Sequence, residues 1–208
     1  MAVEKMRKAV RRDQIAEAAL EVISRHGTGQ LNVGAVARRI GIVPSAVYRH
    51  FRSKEEILSA AIARMGEHLL KNVDRAAREQ GSRARLRKLL RLHVGTIRDG
   101  YAGPRIIFAE GIDGGGVSHR MEIYHIIRRY LDRVAEILRE GQRLGDLRDG
   151  FDPGSTAVHF LGLIQPAATL WYLSAGKFDV TRAAERSFAQ FIEAIETPRP
   201  PDREASGQ

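Results

Sequence analysis

The stretch from Tyr48 to Lys54 concentrates hydrogen-bond donors: Tyr48, Arg49, His50, Arg52 and Lys54. A phenol, an imidazole and several cations so close together suit phosphate oxygens, which accept from side chains of these types. Enzymatic chemistry has no comparable concentration. His93, Glu110, His119, His125 and His159 are scattered, without a His-Glu-x-x-His spacing or a carboxylate set typical of metal sites. No Gly-x-Ser-x-Gly elbow occurs, and Gly114-Gly115-Gly116 lacks the Gly-Lys-Ser/Thr ending of a phosphate loop. Cysteine is absent, which excludes a disulfide scaffold, a cysteine nucleophile and a thiolate metal site. No catalytic residue, metal ligand or cofactor is therefore expected.

The elements that position those donors read as helices, because apolar residues recur at three and four and alternating β-branched runs are missing. From Arg11 to Arg25, Ile15, Ala19, Val22 and Ile23 share one face, and Gly27 follows as a stop. Asn32 caps a short helix through Val33–Ile40, and Gly41 interrupts it. Pro44 opens a second short helix to His50, a position where proline is tolerated. Ser53 and Glu56 form a capping-box pattern ahead of a long helix through Ile57, Leu58, Ala61, Ile62, Met65, Leu69 and Val73. Short helix, glycine turn and short helix together make a helix-turn-helix. Its second helix fits the major groove, about 12 Å wide. Ser45, Tyr48 and Arg49 are expected to face outward, and Ala46, Val47 and Phe51 to face inward or pack the turn.

Val33 to Leu58, VGAVARRIGIVPSAVYRHFRSKEEIL, closely resembles the DNA-binding domain of the tetracycline-repressor (TetR) family. The resemblance rests on Val36-Ala37, Gly41, Tyr48, Phe51 and Lys54, and on the upstream helix with Ile15, Ala19, Val22, Ile23 and Gly27. It implies that Tyr48, His50 and Lys54 hold DNA phosphates, with Lys54 at the N-terminus of the fourth helix, where anions are also favoured. It places Pro44, Ser45 and Arg49 near base edges. Asn32 stands where the family usually has Thr, Val43 where it has Ser, and Ser45 where it has Gly. The implied interface is thus Asn32, Val43, Pro44, Ser45, Tyr48, Arg49, His50 and Lys54. Arg7, Lys8, Arg11 and Arg12 read either as a solvated arm or as an arm touching phosphate or the minor groove.

Charge supports an anionic partner. Residues 1–60 hold 11 Lys and Arg against 6 Asp and Glu, so +5 of the net +9 lies in under a third of the 208-residue chain. No apolar run approaches the roughly 18 residues of a membrane span. No signal peptide is seen, and a cytoplasmic protein with no membrane partner is expected.

The sequence thus predicts an all-α protein of about nine helices. Residues 1–58 form the helix-turn-helix domain, 59–80 a connecting helix, 81–196 a ligand-binding and dimerisation domain, and 197–208 a disordered tail. Ser155–Ala175 reads as one helix, kinked at Pro166 and apolar on nearly every face, which requires burial all round. With the last helix it offers a homodimer surface, so that two recognition helices sit one DNA turn apart, roughly 34–36 Å. His93, Ile97, Phe108, Tyr124, Ile127, Gln165 and Trp171 are the candidate lining of a pocket for a small, apolar effector. The functional expectation is a regulator, by resemblance a repressor, of a double-stranded DNA operator. The alternative is a helical DNA-binding or protein-interaction module without a small-molecule effector.

Overall fold

The computed structural model describes residues 2–99, 106 and 117–197, and is helical almost throughout. In chain order the helices are α1 (Ala2–His26), α2 (Val33–Arg39), α3 (Pro44–Tyr48), α4 (Lys54–Ala76) and α5 (Ser82–Arg98). They continue with α6 (Val117–Leu144), α7 (Pro153–Gly162), α8 (Gln165–Leu173) and α9 (Val180–Ile195). A 3-10 turn, Thr28–Gln30, joins α1 to the segment before α2. The all-α expectation holds.

Two elements differ from the sequence reading. The first helix starts at Ala2 rather than near Arg11. Its first turns lack an apolar stripe, so periodicity is silent there, but Ala, Glu, Lys and Arg are strong helix formers. Instead of one kinked helix over Ser155–Ala175, there are two helices separated at Leu163–Ile164. Pro166 cannot donate to the carbonyl of Gly162, and its ring crowds that carbonyl, so the chain turns and restarts with proline in the first turn of α8. Phe108, Pro104 and Gly114–Gly116 lie outside the described residues, as does the tail from 198.

The core forms two buried clusters. The first joins Ile15, Ala19 and Ile23 of α1, Val36 and Ala37 of α2, Val47 of α3, Phe51, and Ile57 to Met65 of α4, and also takes in Ile106 and Ile123. The second joins Val73 and Ala76 of α4 to α5, α6, α7, α8 and α9. Helix α4 therefore belongs to both. Helix α6 runs beside it: Ser59 Oγ donates to Glu122 Oε1 at 3.0 Å, and Arg133 Nη2 donates to Asp74 Oδ1 at 2.9 Å. Between these contacts, a Cβ on Gly66 would come within 2.9 Å of the Ile126 side chain. The helices approach this closely only because position 66 lacks a side chain. Gly66→Val is expected to force them apart and lower stability by about 2 kcal/mol, read as a lower denaturant midpoint at unchanged slope.

Candidate nucleic-acid interface

Local chemistry sets the recognition unit. Asn32 Oδ1 accepts from Ala35 N at 2.8 Å, capping α2 as expected. The other end of α2 closes in a Schellman turn. Gly41 N donates to Arg38 O and Ile42 N to Ala37 O, with Gly41 at φ +68°, a conformation that favours glycine. Val43 precedes α3 at the N-cap but its side chain makes no cap, so Pro44 in the first turn supplies the preset backbone. Val47 is completely buried and Phe51 nearly so, which pins α3 to the first core.

That pinning decides what faces outward. Val43, Pro44, Ser45, Tyr48 and Arg49 are all exposed, Val43 by 64 % and Tyr48 by 58 %. Neither side chain is held by the core, so both are accessible at the surface of the recognition unit. His50 is half-buried at the end of α3. Ser53 Oγ accepts from Glu56 N at 3.2 Å, capping α4. Glu56 reaches back one residue further than the sequence pattern implies, accepting from Arg52 N at 2.8 Å. Lys54 is exposed in the first turn of α4. The backbone N–H groups at that helix end, with Ser53, hold the Glu55 carboxyl below its usual range. The same N-terminal field favours any anion placed there.

One cation escaped the sequence reading. Arg38 is exposed, and its Nη1 would lie 3.6 Å from a Cβ on Gly34, whose other near neighbour is Asn32 Oδ1. The guanidinium therefore lies over the start of α2, within ordinary contact distance of position 34. The signal was the Gly34–Arg38 spacing of one helical turn. By contrast, Arg39 is engaged with Glu21, and Arg12 turns toward protein acceptors instead of forming an arm. Arg11 is exposed on α1. The side chains of Arg7 and Lys8 lie outside the described residues.

The surface therefore has the shape, polarity and cationic rim of a major-groove reader. A family profile described as bacterial regulatory proteins, tetR family, matches residues 15–61, and one described as tetracyclin repressor-like, C-terminal domain, matches residues 79–195. The chain belongs to the TetR family. It is a DNA-binding transcriptional regulator, and proteins of this family bind operators and small-molecule effectors and act as dimers.

Among relatives of this TetR-family regulator, the fatty acid metabolism regulator protein of Bacillus subtilis is 25 % identical over 183 residues, covering 88 % of this chain and 94 % of the relative. The transcriptional regulator TcmR of Streptomyces glaucescens is 28 % identical, covering 79 % and 74 %. In fold, the regulator resembles FadR from B. subtilis solved with stearoyl-CoA, at TM-score 0.72, 23 % identity and coverage of 88 % and 98 %. A Rhodococcus regulator superposes at 0.76, with 19 % identity and coverage of 90 % and 98 %.

The candidate effector residues are dispersed. His93 is buried on α5, with its Nδ1 3.2 Å from Tyr130 Oη of α6 and the two rings edge-on. Burial pushes the His93 pKa down to about 4 and raises that of Tyr130. Ile97 belongs to the second core, and Ile127 and Trp171 pack against it. Gln165 is half-buried at the start of α8. Tyr124 does not converge with these. The inward stripe of α6 runs through Ile123, Ile127 and Tyr130, and Tyr124 is rotated off it, exposed beside His125. Nearby, Asn72 Nδ2 donates to Thr96 Oγ1 at 3.1 Å, linking α4 to α5. No helix among the described residues is long and apolar enough to cross a membrane.

Proposed function

We propose that the regulator binds its operator in the cytoplasm as a homodimer. Val43, Pro44, Ser45 and Arg49 approach base edges, while Asn32, Tyr48, His50 and Lys54, with Arg38, engage phosphates. The observation that carries this reading is the outward exposure of α3 side chains on a helix whose opposite face, Val47, is completely buried. A small molecule held among the C-terminal helices controls the affinity. The lining is proposed from His93, Ile97, Phe108, Ile127, Gln165 and Trp171, with Tyr124 at most at its rim. The second core is overwhelmingly aliphatic and aromatic, with the His93–Tyr130 pair as a buried polar point. That composition suits an effector with an apolar body and one polar group. The stearoyl-CoA complex of the B. subtilis protein makes an acyl thioester the first compound to test. Because α4 belongs to both cores, an effector that favours one arrangement of the C-terminal helices also biases where the recognition helix stands.

The dimer surface is proposed on α7, α8 and α9. A single chain leaves Val158, Leu170, Tyr172 and Leu173 exposed, so the burial expected all round this segment is not reached within one copy.

The test uses a duplex selected by the wild-type protein from a random library. Lys54→Ala is expected to weaken binding to selected and unselected duplexes alike by about tenfold, and to reduce the salt slope by about one. Anisotropy titrations at several salt concentrations measure both. An unchanged slope would remove Lys54 from the phosphate contacts. Stearoyl-CoA is expected to shift operator affinity and raise the melting temperature. If no acyl compound does either, the DNA-binding module without such an effector gains ground.

A further inference from the structure

Arg12 sits on α1, far in sequence from the recognition unit, yet its guanidinium meets that unit at several points. One Nη donates to the carbonyl of His50, at the end of α3. The other donates to Glu56 Oε1 at 3.0 Å, in the first turn of α4. The guanidinium carbon lies 4.2 Å from the centre of the Phe51 ring. The second oxygen of Glu56 accepts from Arg52 N, so the same carboxylate ties the backbone between the two helices. Those two contacts, Arg52 N–H first and Arg12 second, hold the Glu56 carboxyl below its usual range.

We propose that Arg12 is a positioning residue for DNA recognition, clamping the turn between α3 and α4 so that Tyr48, Arg49 and Lys54 meet the duplex in one fixed direction. The proposal rests on the DNA-binding reading above. The chemistry requires arginine. Only a planar fork donates to two acceptors in different directions while stacking on an aromatic face. A lysine in its place keeps the charge and has three donors, but they radiate from one atom, without the planar fork that spans both acceptors or the flat face that stacks on Phe51. The carbonyl of His50 lies two residues beyond the last residue of α3, so Arg12 ties the turn that leaves the helix to α1. Its donors face the protein, which distinguishes a clamp from a phosphate contact.

The experiment compares full-length wild type, Arg12→Lys, Arg12→Gln, Glu56→Gln and the Arg12→Gln/Glu56→Gln double variant on the selected duplex and on an unselected one, each over a range of salt. For the two Arg12 variants we expect about tenfold weaker binding to the selected duplex. Binding to the unselected duplex falls much less, and its salt slope stays at the wild-type value, because contacts are misaligned but no phosphate contact is lost. Glu56→Gln moves in the same direction, and Arg12→Gln adds little on top of it. Hydrogen exchange at the Arg52 amide, measured without DNA, rises in the Arg12 and Glu56 variants and reports the clamp even where stability drops. Parallel weakening on both duplexes with the salt slope reduced by about one makes Arg12 a phosphate contact and overturns the proposal. Wild-type affinities and an unchanged Arg52 exchange rate overturn it alone. Failure of the wild type to bind any duplex overturns the DNA-binding reading, and this proposal with it.

Discussion

Leu173→Glu, combined with Leu170→Glu, is expected to turn the regulator into monomers and to weaken operator binding by about 100- to 1,000-fold. Leu170 and Leu173 lie one turn apart on α8, exposed by 49 % and 73 %, with the exposed Pro166 continuing the same stripe. Covering a leucine side chain gains about 1.5–3 kcal/mol, and in a two-fold symmetric interface each residue counts twice. A carboxylate in the same place must instead be stripped of water without a partner, so the substitution reverses the sign of the contribution. One recognition helix reaches few base pairs, and most of the difference between selected and unselected DNA depends on two half-sites bound together. Losing the partner therefore costs much more than losing any single contact. Because the substituted side chains are exposed in the single chain, helicity should be unchanged. Light scattering after size exclusion gives the mass, and anisotropy the affinity. A double variant that remains dimeric with wild-type affinity would place the interface elsewhere on the molecule.

What the sequence makes legible, and what it hides, follows the range of the interaction. The Asn32 and Ser53 caps, the Gly41 turn and Pro44 are each decided within about five residues, and the structure reproduces them. The outward set Ser45, Tyr48 and Arg49 is legible for the same reason: Val47 and Phe51 fix the rotation of a helix too short to have another apolar side. Arg12 was not legible, since its partners lie 38 and 44 residues away and nothing local separates a clamp from a solvated arm. The close passage of α4 and α6 at Gly66 and Ile126 is equally invisible in either helix alone. Tyr124 shows another limit. Helical spacing alone does not fix which edge of an apolar stripe turns inward, and α6 turns it out. The division of Ser155–Ala175 into two helices is within reach of the sequence, because Pro166 marks the place. A break outweighed a kink there, since the restarted helix can use proline in its first turn.

Acid is expected to destabilise the C-terminal core through His93. Its side chain is buried against Tyr130 with no acidic partner among the described residues, and burial moves its pKa from 6.5 to about 4. The folded chain therefore keeps the imidazole neutral at pH values where the unfolded chain protonates it. Stability from this group is complete above pH 6.5 and is lost as the pH falls toward 4, because the unfolded state binds the extra proton in that window. The full loss is about 3 kcal/mol, equivalent to more than a hundredfold in the folding equilibrium. His68, whose pKa burial also lowers, acts in the same direction. The carboxyls of Glu55, Glu56, Asp152 and Glu185 are held below their usual range, so they add their own losses only in more acidic solution. Melting temperature measured from pH 7 to pH 4.5 should therefore fall less steeply for His93→Gln than for the wild type, with His68→Gln as the parallel control. Glutamine retains an acceptor for the Tyr130 hydroxyl but takes up no proton. Tyr130→Phe should instead cost about 1–2 kcal/mol at neutral pH by leaving the imidazole without its partner. Coincident pH profiles for the wild type and His93→Gln would mean that the imidazole finds water or a counter-charge when protonated, and that the core around it opens more readily than its burial implies.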